Sequence, residues 1–84
     1  MFKNKSAGSN NLCGRIIYDL RKKKGAGFSQ RKLADMLQLE GIDLDKNAVQ
    51  RMESGQRFVI DIELVAIAKI FDVSVDYLLG LVDR

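Results

Sequence analysis

Apolar residues recur every three to four positions in short runs that open on Asn, Ser or Asp, several of them closing on glycine. Together with the absence of proline from all 84 residues, this punctuation restricts the chain to a set of short helices that must pack on one another. Residues 1–10 carry no such period and read as a mobile arm. A first helix is expected over 11–24, capped by Asn11, with Leu12, Ile16 and Leu20 on one face, Ile17 beside them, and Gly25-Ala26-Gly27 ending it. A second follows over 30–38 from the cap Ser29, turning Leu33, Ala34 and Leu37 inward.

Residues 39–44 have no clean period and a glycine among them, so they read as a loop whose apolar members tuck inward. Asp45 then caps a third helix over 45–53, closed by Ser54 and Gly55, with Leu44 and Val49 at the spacing of a hydrophobic staple. A fourth helix over 61–71 bears an apolar stripe of Leu64, Ile67, Ala68 and Phe71. Ser74 caps a short fifth through Leu78 and Leu79, with Val73 and Leu78 again at staple spacing. The expectation is an all-α, compact five-helix domain over 11–84 behind an arm of ten residues.

A chain this short builds one hydrophobic core. It has no histidine and a single cysteine, Cys13, which rules out an internal disulfide and the usual zinc sites. A lone thiol can serve as a redox sensor, but beside Leu12 and Ile16 Cys13 reads as a small core residue. No stretch approaches the roughly 20 apolar residues of a membrane span, so a cytoplasmic protein without a membrane segment is expected. Without histidine, and with carboxylates scattered singly, the chain offers no catalytic constellation and calls for no cofactor. Charge is graded: net +6 over residues 1–30, 0 over 31–60 and −3 over 61–84. That gradient suits a chain whose N-terminal side faces phosphates, and equally an ordinary solvated surface. Lys22, Lys23 and Lys24 fit the negative end of the first helix as well as they fit a phosphate.

The third helix divides most sharply. At 100° per residue Lys46, Asn47, Gln50, Arg51 and Ser54 fall within an arc of about 140°, opposite Ala48, Val49 and Met52. Helices that read the major groove have this construction, since arginine matches guanine and Asn or Gln matches adenine at the base edge. Lys46, Asn47, Gln50 and Arg51 are the candidate base contacts. Gln30 stands where backbone N–H groups at a helix start can hold a phosphate, and Ser29 reads as phosphate contact or simple cap.

Ser29-Gln30, Leu33-Ala34, Leu37, Val49, the run Arg51-Met52-Glu53-Ser54-Gly55, Ile67-Ala68-Lys69, Val73-Ser74 and Tyr77-Leu78-Leu79-Gly80 together resemble the phage-repressor-like (Cro/C1, XRE) helix-turn-helix family over roughly residues 15–80. The resemblance implies a repressor-like domain that regulates transcription by binding double-stranded DNA, with the third helix in the major groove. It also implies backbone contacts at Gln56 and Arg57, the latter equally readable as a rim arginine, and an ion pair between Arg21 and Glu53. Ala34 falls at a position kept small so that the second and third helices approach closely. The chain departs from the family pattern in about five extra residues before Asp45, about two at 25–27, and Ile60 where Ser or Thr usually caps the fourth helix.

A single reading helix covers few base pairs, so a homodimer is expected, formed either in solution or only on DNA. Its contact is placed at Leu79, Leu81 and Val82, which also read as a partly exposed core edge. The alternative function is a protein-interaction module on the same scaffold, such as an antitoxin-like partner.

Overall fold

The computed structural model describes residues 8–82. Among them the chain forms five helices and no strand: α1 (Gly14–Lys23), α2 (Gln30–Leu39), α3 (Lys46–Glu53), α4 (Asp61–Phe71) and α5 (Val75–Leu78). α3 packs against both α1 and α2, α2 also meets α4, and α4 carries α5. Ile17, Leu33, Leu37, Val49, Met52, Ile67 and Leu78 are fully buried where these helices converge. Phe28, from the α1–α2 connection, stacks obliquely on Phe71, with ring centroids 5.5 Å apart. No helix is long and apolar enough to cross a membrane among the described residues.

The start of the chain differs from the sequence expectation. α1 opens three residues after Asn11, whose Oδ1 accepts from Gly14 N–H at 2.8 Å. Its amide donates to the carbonyls of Met52 (3.0 Å) and Arg57 (2.7 Å). Cys13 takes the inward place expected for Leu12, which is exposed, while Ile16 and Leu20 are half-buried at the edge of the core. Burial pushes the Cys13 thiol up to about 11, so it stays protonated as an inert core group.

Ser9 and Asn10, expected in the arm, lie against the chain beyond α3, and Asn10 is bonded to it. Asn10 N–H donates to Gly55 O at 2.8 Å and its amide to Gln56 O at 3.0 Å. Both acceptors are carbonyls of the segment that follows the Ser54 C-cap of α3. Residues 1–7 of the expected arm, and the last two residues of the chain, lie outside the described residues.

Gly14 is required by close approach: a Cβ built there would run into the Met52 carbonyl and lie 2.9 Å from Asn11 Oδ1. α1 therefore meets α3 backbone to backbone. Gly41 is required by conformation. Its φ of 84° lets Gly41 N–H and Ile42 N–H turn back to the carbonyls of Gln38 (3.0 Å) and Leu37 (2.9 Å), which closes α2.

The connection from α2 to α3 is consequently ordered. Gln38 Nε2 donates to Asp43 Oδ1 (2.9 Å) and to Leu44 O (3.1 Å), pinning the segment to the last turn of α2. Leu44 is buried and Ile42 half-buried. Leu39, expected to tuck inward with them, ends α2 and is 86% exposed.

Candidate nucleic-acid interface

Asp45 starts α3 in extended backbone, and its carboxylate accepts from Ala48 N–H at 2.8 Å, the N-cap bond that fixes where the helix begins. Ala48, Val49 and Met52 are buried. Lys46, Asn47, Gln50 and Arg51 are exposed, and none of their side chains makes a hydrogen bond or ion pair among the described residues. The helix is thus anchored by one face and leaves four long polar side chains uncommitted on the other.

Its far end is held by a charged cluster. Arg21 Nε and Nη2 donate to Glu53 Oε2 and Oε1 at 2.7 and 3.0 Å. Gln30 Nε2 donates to the same Oε1 at 3.0 Å, and Arg21 Nη1 to Phe28 O at 3.2 Å. The hydrogen bonds to Glu53 raise the Arg21 pKa above its ordinary value, against the opposing effect of burial. α1, the α1–α2 connection, α2 and α3 are tied together at one point.

Gln30 spends its side-chain amide on Glu53, so what it can offer a phosphate is the backbone N–H of its expected role. Ser29 Oγ accepts from Lys32 N–H at 3.0 Å as the α2 cap. The backbone N–H groups of Gln30 and Arg31 have no acceptor among the described residues, and they are what this helix start can offer an anion.

Arg57, expected as a DNA-backbone contact or a rim arginine, is also engaged within the chain. Its Nη1 and Nη2 lie 2.8 and 2.9 Å from the two carboxylate oxygens of Glu63, and Nη1 also donates to Phe58 O at 2.8 Å. Glu63 is buried on the first turn of α4, where Oε1 accepts from Ile60 N–H at 3.1 Å. The glutamate thus supplies one half of a capping box whose other half Ile60 cannot make. Burial works to raise the Glu63 pKa, yet the Arg57 hydrogen bonds, the Ile60 N–H and the Arg57 charge together bring it below the ordinary carboxylate value. Arg57 is a clamp between the end of α3 and the start of α4, while Gln56 beside it is exposed.

Two arginines that sequence reasoning did not assign lie next to the polar face. Arg31 lines an open groove of about 500 Å³ between α2 and α3 together with Asp35, Gln38, Asp45, Lys46 and Asn47. Arg15 borders a second concavity, of about 370 Å³, with Tyr18, Gln30, Gln50, Glu53 and Ser54. Arg15 sits over the Tyr18 ring and pairs with Asp19 at 3.3 Å on the exposed surface. The excess of cations in the first thirty residues was the available signal for Arg15; Arg31 had none beyond its position in the first turn of a helix.

Of the three residues expected at a dimer contact, Leu79 is half-buried and Leu81 and Val82 are exposed. Among the described residues no group of three or more Cys, Asp or Glu side chains is arranged to hold a metal ion. No family model matches the chain, and no significant match was found among curated proteins or solved structures.

Proposed function

We propose that this chain is a sequence-specific DNA-binding regulator of transcription, built on a helix-turn-helix of the phage-repressor-like kind formed by α2 and α3. One observation carries the reading: Lys46, Asn47, Gln50 and Arg51 stand together, exposed and unbonded among the described residues, on a helix whose opposite face is locked in the core. A major groove about 12 Å wide accepts such a helix, and these side chains reach base edges from it. Rigid anchoring by Asp45 and by the Arg21–Glu53 pair limits the ordering cost on binding. Arg31 and Arg15 flank the reading face and are the proposed phosphate contacts, with Gln56 and the N–H groups at the start of α2. Arg57 acts by holding α4 in place.

The role is one of binding, with no catalytic step and no cofactor, in the cytoplasm where the DNA lies. Two copies on a palindromic site, with half-sites about 34–36 Å apart, give the discrimination that one helix lacks. Selection from a random duplex library, followed by sequencing, tests the proposal. An enriched motif with two-fold symmetry is expected; a pool that stays random after repeated rounds overturns it.

A further inference from the structure

α4 turns a second apolar face outward. Ile62 and Val65 are each 61% exposed, and with Lys69 they recur at i, i+3 and i+7, the spacing of a helix–helix seam. Asp61 and Lys69, both exposed, lie four residues to either side of Val65. Between α4 and the α2–α3 connection runs an open groove of about 500 Å³ lined by Ile42, Ile62, Val65 and Ala66 together with Glu40, Asp61 and Lys69.

We infer that this face receives a second copy of the chain, α4 against α4 in antiparallel sense about a two-fold axis at Val65. The charges argue for that occupant. Antiparallel pairing centred on position 65 brings position 61 of one copy beside position 69 of the other, so Asp61 meets Lys69 of the second copy twice over, flanking a contact of Ile62 and Val65. A two-fold interface must be self-complementary in this way. Asp61 spends one oxygen on Ile62 N–H (2.7 Å) and Lys69 already reaches Glu40 (3.2 Å). The second carboxylate oxygen and the remaining ammonium protons are left for the partner.

An eleven-residue helix is only about 16 Å long, so the pair buries far less than the roughly 800 Å² per partner typical of a stable complex. Association is weak in free solution and strengthens when two copies are held side by side, where effective concentrations reach about millimolar. The inference rests on α4 alone and stands apart from what α3 binds.

Sedimentation equilibrium without DNA, at low salt and up to about millimolar protein, tests it through charge reversal. Asp61→Lys and Lys69→Glu each set like charges opposite one another, and each is expected to weaken self-association by about tenfold or more. An equimolar mixture of the two variants has opposite charges at both positions and should recover association to within a few-fold of the unaltered chain. A lesion that acted only through folding would not recover on mixing. A chain that stays monomeric throughout, or reversals that leave association unchanged and so point to another surface such as Leu81 and Val82, overturns the inference.

Discussion

Arg21 on α1 grips Glu53, the last residue of α3, through two parallel bonds of 2.7 and 3.0 Å, with side chains only 8% and 4% exposed. Removing either partner strands a buried charge, which costs about 3 kcal/mol or more. Arg21→Ala and Glu53→Ala are each expected to lower the urea midpoint clearly. The double variant should be little worse than the worse single one, which a double-mutant cycle reads as strong coupling. Small, additive effects would show that the pair does not hold α3.

Gly14 marks the closest approach of α1 and α3. Gly14→Ala puts a methyl group against the Met52 carbonyl, and the helices must part to admit it, at about 1–3 kcal/mol. Thermal unfolding should drop by several degrees, although alanine is by itself the better helix former. An unchanged or raised Tm would contradict this packing.

Glu63 ties stability to pH. Its carboxyl titrates below the ordinary value of 4.5 when folded, so the unfolded chain binds more protons in the interval between the two pKa values. The stabilisation is complete above about pH 5 and is lost as pH falls through the folded pKa. Melts recorded from about pH 6 to pH 3 should show stability falling with acid. Glu63→Gln should start lower at neutral pH and fall less steeply. Parallel pH profiles for the two proteins would remove the Arg57–Glu63 pair from the account.

How far the sequence was legible varies with the range of the interaction. The bounds of α2, α3 and α4 depend on local chemistry, such as the Ser29 and Asp45 caps, and were close to readable from the chain. α1 was placed three residues early, because Asn11 caps it from a distance while also bonding to Met52 and Arg57. That arrangement exists only once α3 is docked. The same holds for Gly14, whose need is set by a carbonyl thirty-eight residues away. Arg57 and Glu63 are six residues apart across a non-helical turn, outside any helical spacing rule, so Arg57 was read as a DNA-backbone contact or a rim arginine and its tie to Glu63 was not foreseen. The polar face of α3 was visible as a pattern; that its four side chains stand unbonded among the described residues became visible only in the fold.

Arg51 offers the most direct test of DNA reading by α3. Fluorescence anisotropy on the duplex obtained by selection, and on a scrambled duplex of equal length, should be measured for the unaltered chain and for Arg51→Ala across a range of salt. The account predicts that the unaltered chain prefers the selected duplex and loses affinity steeply with salt. It also predicts that Arg51→Ala loses about 1–3 kcal/mol on the selected duplex while keeping its thermal stability. Equal affinity for selected and scrambled duplex in the unaltered chain, or no duplex binding at low salt, would contradict it.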